Sequence, residues 1–256
     1  MDLEAIIESF WTSARRGVYY PPEWKGKLTA HQAYRVQLGI LDRLVAGGET
    51  HAGWKVGLTA RAMQEQWGIY EPVFGFLLES GHRPSEATFG FDELIQPGFE
   101  NELCLTMGTP LQGPGVTLEQ ARAAILAVAP ALEIIERRGD FAADLNLALA
   151  DNSQQKAFVT GRATTPVPPG VTLAEATVEV VVDGVSVERT RGSAERTGDQ
   201  VATVAWLANK LAEFGRHIEA GHRIMSGSFT RQYPLSRGAR IEARFEPFGV
   251  VRAEFA

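Results

Sequence analysis

The chain has 256 residues, and its 25 Lys and Arg against 31 Asp and Glu give a formal net charge of -6 at pH 7. Because it has no basic run that could neutralise a phosphate backbone, we exclude nucleic acid as a partner. No stretch reaches the roughly 18 continuous apolar residues of a membrane span, and the acidic start lacks the apolar core of a secretory signal. We therefore expect a soluble cytoplasmic protein that does not bind membranes.

Apolar residues at helical spacing predict two helices near the N-terminus, over residues 2–16 and 31–47. Thr29, followed three residues later by Gln32, predicts a capping box at the start of the second helix, and Gly47 predicts its end. We predict a helical cap over residues 1–50 and a catalytic domain over residues 51–256.

Short apolar runs separated by Gly and Pro predict a strand-rich region after the cap, with a hairpin turn at Asp183-Gly184. The predicted strands are 53–58, 73–78, 99–107, 130–136, 147–151, 157–161, 177–182, 185–190, 240–246 and 249–255. Helices are predicted over 118–128 and 200–214, and a loop over 163–170. Since helices and strands do not alternate strictly, we predict an α+β fold with mixed β-structure rather than a doubly wound sheet.

Two glutamates, Glu100 and Glu102, stand one residue apart in an otherwise apolar stretch. Side chains alternate along a strand, so both carboxylates are expected on one face. A third carboxylate, Glu133, interrupts the apolar run 129–135. Three acids embedded in hydrophobic strands favour an all-oxygen site for a hard divalent ion such as Mg²⁺ or Mn²⁺. The alternative for Glu100 and Glu102 is the solvated face of a half-exposed strand.

Lys55 lies among apolar residues between Gly53 and Gly57. A desolvated lysine has a lowered pKa, which suits it to proton transfer or to holding a carboxylate, whereas the alternative is a surface lysine on an edge strand. The only cysteine, Cys104, excludes an internal disulfide. Its place between two leucines indicates core packing rather than catalysis.

Several common catalytic motifs do not occur in the sequence. The histidines lack the spacing of a zinc site, no G-x-S-x-G elbow is present, and neither common nucleotide-binding glycine motif occurs. The pair Asp151-Asn152 and the polar segment 226–231 are typical of turns, with ligand binding as the alternative.

Six segments, taken in chain order, carry a resemblance to a known family. They are residues 53–59, 71–75, 100–102, 130–135, 150–152 and 227–231. Together they resemble the 2-oxopent-4-enoate hydratase family, which belongs with the 4-oxalocrotonate decarboxylases to the fumarylacetoacetate hydrolase superfamily. The resemblance covers nearly the whole chain.

The resemblance implies a mixed-β fold of the fumarylacetoacetate hydrolase type and a Mg²⁺ or Mn²⁺ ion held by Glu100, Glu102 and Glu133. It implies that Lys55 is an active-site acid or base, and it adds Glu79 as a second catalytic candidate. The substrate-binding candidates are Thr59, Asp151, Asn152, Ser228 and Arg231. The family acts on small 2-oxo acids and forms homo-oligomers.

We therefore predict a lyase that hydrates a 2-hydroxy-2,4-dienoate to a 4-hydroxy-2-oxo acid in the meta-cleavage catabolism of aromatics. The alternative is decarboxylation of a 4-oxalocrotonate-like diacid, because family hydratases usually carry an acid where this chain has Val73. Conversely, the segment 227–231 resembles the hydratases that act on dicarboxylic substrates, and the Arg231 guanidinium can bind a second carboxylate in a bidentate pair. A third alternative is a structural partner in a complex with a paralogous lyase, but the retained buried acids argue against an inactive subunit.

Overall fold

The computed structural model describes residues 2–167 and 170–256. The α-helices are α1 (Leu3–Ala14), α2 (Ala30–Ala46), α3 (Arg61–Trp67), α4 (Leu118–Ala124), α5 (Leu145–Ala150), α6 (Ala194–Thr197) and α7 (Gln200–Ala212). The strands are β1 (His51–Gly57), β2 (Val73–Leu78), β3 (His82–Pro84), β4 (Ala87–Phe89), β5 (Pro97–Met107), β6 (Ile125–Glu136), β7 (Gln155–Thr160), β8 (Thr177–Val182), β9 (Val185–Arg191), β10 (Arg223–Met225), β11 (Tyr233–Pro234), β12 (Arg240–Glu246) and β13 (Gly249–Phe255).

The described residues form two sheets, and the larger has the strand order β2-β1-β10-β5-β6-β7-β3. The short strand β11 also pairs with β5, at residues that β10 does not reach. The pairs β1–β10 and β3–β7 are parallel, and the other neighbours are antiparallel. A single turn at Glu79–Gly81 joins the two edge strands, β2 and β3. The sheet must therefore curve back towards itself. Its mixed pairing confirms the predicted α+β class.

The smaller sheet has the order β4-β13-β12-β8-β9. Its β8–β9 hairpin turns at Asp183 and Gly184, whose φ angles of 51° and 81° place both residues in the left-handed region. That conformation matches the right-handed twist of the paired strands, so the hairpin prediction is confirmed. Buried residues of this sheet, including Val178, Phe245 and Val251, pack in the same core as the larger sheet.

The two faces of the larger sheet bury different side chains. Phe99, Leu103 and Leu105 of β5 belong to the main core. The alternate residues face the other way, where a small separate cluster contains Cys104 of β5 and Met225 of β10. Glu100 and Glu102 share the face of Cys104 because side chains alternate along a strand. The candidate carboxylates therefore lie outside the main core. The small cluster joins residues from six strands of the sheet, so it fills the inside of the curve, and the face that Glu100 and Glu102 share with it is the concave one.

The N-terminal helices form as predicted. The capping box is present, since Thr29 Oγ1 accepts from the Gln32 amide at 3.2 Å and Gln32 Oε1 accepts from the Thr29 amide at 2.9 Å. Buried residues of α1 and α2 join the main core, and a domain boundary at residue 50 stays a prediction. Within residues 2–167 and 170–256, no helix combines the length and apolarity needed to cross a membrane.

Two predicted elements are wrong. In place of the strand predicted over 147–151, α5 occupies Leu145–Ala150, and the Asp144 side chain caps it by accepting from the Leu147 amide. A short buried apolar run does not distinguish strand from helix, and Leu and Ala favour the helix.

The helix predicted over 118–128 forms but ends early, at Ala124. The Ala124 carbonyl accepts from the Gly108 amide at 2.7 Å, and β6 starts at the next residue.

The sequence pattern does not predict α3, α6 and the short strands β3, β4, β10 and β11. These elements are only two to seven residues long, so they offer little periodicity to read. Within the predicted loop 163–170, residues 168 and 169 lie outside the described part of the chain.

Gly53 of β1 permits a close approach between β1 and β10. Its φ is +139°, and a Cβ at this position would lie 2.6 Å from the backbone nitrogen of Arg223. Lys55 is two residues further along the same strand and pairs with Met225 of β10. The approach at Gly53 thus helps to place Lys55 on the concave face.

We expect Gly53→Ala to lower the free energy of unfolding by about 3 kcal/mol, because a methyl group would push β1 from β10 as well as strain the backbone. Gly48→Ala is the matched control: Gly48 also has a positive φ, +101°, but nothing lies within 4 Å of the position that its methyl group would take. The control should lose about 1 kcal/mol. Urea denaturation of both variants measures the difference, and equal losses would contradict the close-approach explanation.

Candidate active site

Glu100, Glu102 and Glu133 converge on the concave face of the larger sheet. Glu100 and Glu102 lie on β5, and Glu133 lies on β6 directly opposite Glu100 in the antiparallel register. One carboxylate oxygen from each residue lies within 4.8 Å of the others. The i, i+2 spacing on one strand and the register of the next therefore bring together the three acids that the sequence singled out. We refer to these residues as the glutamate trio.

Burial makes the glutamate trio electrostatically costly. Glu102 is 1% exposed and Glu133 is fully buried. Among the described residues, Glu102 Oε1 and Glu133 Oε2 have no hydrogen-bond partner, and Glu133 Oε1 faces the Lys55 ammonium at 3.4 Å. Burial raises the pKa of Glu133 to about 7, with the charge of Lys55 opposing the rise and that of Glu100 adding to it. Burial and the neighbouring Glu133 and Glu100 raise the pKa of Glu102 well above its usual value. Such oxygens fit a cation.

Lys55 provides positive charge at the trio. It lies on β1 and is 5% exposed, and its Nζ is 3.4 Å from Glu133 Oε1. Burial alone would lower the pKa of Lys55, but the carboxylates of Glu133, Glu100 and Glu102 outweigh it and raise this pKa. The lowered pKa predicted from the sequence is therefore wrong, because three nearby negative charges oppose the effect of desolvation.

The polar segment 226–231, whose sequence is typical of a turn, folds over the edge of β5 together with the next residue, Gln232. The Gly227 amide donates to Glu102 Oε2 at 2.9 Å, and the Gln232 side-chain amide donates to Glu100 Oε1 at 3.2 Å. The sequence predicts neither contact. The glycine inside a polar segment is a weak signal of a close backbone approach, whereas nothing local marks Gln232.

Thr59 and Ser228 are both neighbours of Gly227, Thr59 by side-chain packing and Ser228 as the next residue in the chain. A Cβ at Gly227, whose φ is +104°, would lie 2.8 Å from Thr59 Cγ2, so Thr59 packs directly on this glycine. Ser228 is half-buried, and its hydroxyl donates to the Asn101 carbonyl at 3.4 Å. Both predicted substrate-binding residues are thus adjacent to the Gly227 amide that holds Glu102. Their contact with a substrate stays a prediction.

Asp151 and Asn152 make contacts of a different kind. Asp151 Oδ2 accepts from Arg138 Nε at 2.6 Å in a buried ion pair. Asn152 binds the backbone of Phe76 twice, accepting from its amide at 2.7 Å and donating to its carbonyl at 3.0 Å. Both residues also line a cavity of about 430 Å³ bounded by α1, α2 and β2 rather than by the trio. Their role at the substrate stays a prediction.

The contacts of Glu79 and Arg231 are with residues outside the glutamate trio. Glu79 accepts from Arg223 Nη1 at 2.6 Å and lies 3.5 Å from His82 Nδ1. Arg231 is exposed, and its guanidinium carbon is 4.9 Å from the centre of the Tyr233 ring. The ion pairs within the described part of the chain do not include Arg231, which leaves its charge available to a ligand. Glu79 and Arg231 stay candidates for catalysis and substrate binding.

An α+β fold that gathers three carboxylates, two of them buried, and a lysine on one concave face is typical of enzymes that hold a divalent ion through hard oxygen ligands. The chain belongs to the fumarylacetoacetate hydrolase family, since residues 61–256 match the family model for the fumarylacetoacetate (FAA) hydrolase C-terminal region.

Characterised relatives share most of this chain. It is 34% identical to a 2-hydroxyhexa-2,4-dienoate hydratase of Comamonas testosteroni over 90% of this chain and 87% of the relative. It is 36% identical to a 4-oxalocrotonate decarboxylase of a Pseudomonas species over 89% and 86% of the two chains. A solved 4-oxalocrotonate decarboxylase of Pseudomonas putida, complexed with magnesium and adipate, is 33% identical and has a TM-score of 0.90, covering 99% of this chain and 97% of that one. The predicted family and fold are confirmed.

Lys55→Met should destabilise the metal-free protein by about 3 kcal/mol at neutral pH, because it leaves buried carboxylates without their cationic partner. The control is Lys156→Met, since Lys156 is an exposed lysine 3.6 Å from Glu136. The loss of that exposed amine should cost less than about 1 kcal/mol. Chemical denaturation in the presence of EDTA measures both variants, and a stable Lys55→Met protein would argue against the charge balance described here.

Proposed function

We propose that this chain is a metal-dependent lyase that hydrates a 2-hydroxy-2,4-dienoate to a 4-hydroxy-2-oxo acid. The observation that carries the proposal is the convergence of three carboxylates within 4.8 Å, two of them buried and that of Glu100 half-buried, with Lys55 Nζ 3.4 Å from Glu133 Oε1. The relatives named as hydratases, and the magnesium in the related decarboxylase structure, support it.

The residues of this chain fit a divalent ion. Carboxylate oxygens are the preferred ligands of Mg²⁺ and Mn²⁺, and two buried oxygens of the trio, Glu102 Oε1 and Glu133 Oε2, have no hydrogen-bond partner among the described residues. Glu100, Glu102 and Glu133 would hold the ion, and Mg²⁺ has the direct support of a relative's structure. When bound, the ion would supply Lewis-acid polarisation to the carboxylate and 2-oxo oxygens of the substrate.

Lys55 is the group that we assign to proton transfer. Its raised pKa keeps it protonated at neutral pH, so it begins as an acid. It gives a proton to carbon 5 of the diene and takes up the proton that the 2-hydroxyl loses, which leaves a 2-oxo-3-enoate. Water then adds its oxygen to carbon 4, and the proton that this water loses passes through Lys55 to carbon 3. The net change is the addition of one water molecule. Thr59 and Ser228 border the same segment and offer hydroxyls to the substrate carboxylate.

Decarboxylation of a 4-oxalocrotonate-like diacid is the second candidate. The solved relative at a TM-score of 0.90 is a decarboxylase that holds adipate, a dicarboxylate. In addition, Val73 of β2 is a buried apolar residue, 5% exposed. It pairs with Gly57 of β1, the strand that carries Lys55. In this reaction, Lys55 would protonate the carbon from which CO₂ has departed.

Product analysis by NMR distinguishes the candidates. The purified full-length chain is incubated with a 2-hydroxypenta-2,4-dienoate or with a 4-oxalocrotonate, with Mg²⁺ or with EDTA. Hydration produces a new carbinol methine signal, whereas decarboxylation releases CO₂ without one. Turnover that does not depend on metal would overturn the proposal. Metal binding without turnover of either substrate would instead favour the structural-partner alternative.

Glu102→Gln should weaken Mn²⁺ binding at least about 100-fold, because it removes one of three charged ligands. The fold should survive, since the change also relieves repulsion between buried carboxylates. Isothermal titration of the metal-free protein measures the affinity, and Glu86→Gln, at an exposed carboxylate paired with Arg252, is the control. Unchanged Mn²⁺ affinity in Glu102→Gln would count against the trio as the metal site.

Arg231→Gln tests the preference for a second carboxylate. If the guanidinium binds the far end of a diacid, KM for the diacid should rise about tenfold and KM for the monoacid should stay unchanged. Arg237→Gln is a matched control, because Arg237 is exposed and pairs with Asp92. An equal change in KM for both substrates would contradict this role for Arg231.

A further inference from the structure

Glu100 is held differently from the other two acids of the trio. Glu102 accepts from a backbone amide, that of Gly227, and Glu133 lies against Lys55. Glu100 is half-buried rather than buried. In the described part of the chain, its side chain accepts one hydrogen bond, from Gln232 Nε2 at 3.2 Å. The position of Glu100 therefore depends on how well Gln232 itself is fixed.

Arg137 fixes the orientation of the Gln232 amide. Arg137 directly follows β6, and its Nε and Nη2 both donate to Gln232 Oε1, at 3.3 Å and 3.2 Å. A guanidinium only donates hydrogen bonds, so the oxygen of the amide must face Arg137. The Gln232 nitrogen must then face Glu100. The amide consequently presents a donor to the carboxylate and cannot flip without losing both contacts.

The same contacts hold the segment 226–232 over the trio. Gln232 precedes β11, where Tyr233 pairs with Phe99 of β5. Gly98 leaves room for the backbone of the next residue, since a Cβ on Gly98 would lie 2.9 Å from the Tyr233 carbonyl oxygen. Strand pairing therefore anchors the backbone of Gln232, and Arg137 anchors its side chain.

We propose that Gln232, oriented by Arg137, is a positioning residue that holds Glu100 in the geometry needed to bind the divalent ion. This inference rests on the proposed function, because it concerns the same metal site. Outer hydrogen-bond partners of ligating carboxylates orient the ligand, and removing one typically costs about 10-fold to 100-fold in metal affinity. Arg137 acts through Gln232 and does not touch the trio.

The test is a double-mutant cycle with Mn²⁺ affinity as the readout, measured by titration calorimetry on the metal-free full-length protein. We expect Gln232→Met to weaken Mn²⁺ binding about tenfold, and Arg137→Met to weaken it about threefold because the amide is then free to flip. The double variant should match Gln232→Met alone, since Arg137 has no route to the metal except through Gln232. Gln112→Met, at an exposed glutamine, should leave the affinity unchanged.

The possible outcomes separate this inference from the proposed function. If the unmutated protein binds no Mn²⁺, the proposed metal site fails. If the unmutated protein binds Mn²⁺ and Gln232→Met binds it equally well, or if the two losses add in the double variant, the positioning role fails and the metal site stands. Arg137 is exposed, so Arg137→Met keeps the test decisive should Gln232→Met fail to fold. The thermal midpoint of each metal-free variant separates lost affinity from lost stability.

Discussion

Three carboxylates share one lysine on the concave face of the larger sheet, and this shortage of positive charge constrains the rest of the structure. Glu102 and Glu133 are almost fully buried, and Lys55 lies within reach of Glu133 alone, at 3.4 Å. A buried carboxylate without a partner costs several kcal/mol, which packing elsewhere must offset. A metal-free protein relieves the repulsion by holding protons, as the raised pKa values of Glu102 and Glu133 indicate. Metal binding must therefore displace protons.

The strand pairing along one edge of β5 is interrupted, and this interruption helps to position the charged groups. Strand β10 pairs with β5 at Cys104–Thr106, and β11 pairs with it at Gly98 and Phe99. Between them, the chain leaves the edge of β5. There the Ser226 hydroxyl donates to the Leu103 carbonyl and the Phe229 amide donates to the Asn101 carbonyl, in place of strand pairing. The interruption frees the Gly227 amide and the Gln232 side chain to reach the trio. Loss of regular strand pairing at this point thus gives the site its outer contacts.

The sequence predicts those features of the fold and the site that depend on residues close together in the chain. It does not predict features that depend on contacts between distant residues. The period of two along β5 places two acids of the trio on one face, and the Asp183-Gly184 hairpin is specified by its own residues. In contrast, Gly227 and Gln232 meet their partners across more than 120 residues of chain, and no local pattern encodes such a contact. The pKa of Lys55 follows charges on other strands for the same reason. Leu145–Ala150 packs against α2 and β2, which removes the polar face that would reveal a helix.

Hydration and decarboxylation need the same chelated 2-oxo acid and the same proton donor, so under the proposed function the trio and Lys55 would serve either reaction. The named hydratase and decarboxylase relatives accordingly resemble this chain to nearly the same degree, at 34% and 36% identity. The difference must then arise from groups around the remainder of the carbon chain. Val73 is an apolar neighbour of Lys55, and Gly57 lies between the two side chains. A Cβ added at Gly57 would be 3.5 Å from Val73 Cγ2 and 3.4 Å from Lys55 Nζ. The Val73 side chain itself offers no group to orient an attacking water, so hydration would depend on polar groups elsewhere at the site, such as the Thr59 and Ser228 hydroxyls. An apolar side chain at this position suits the departure of neutral CO₂.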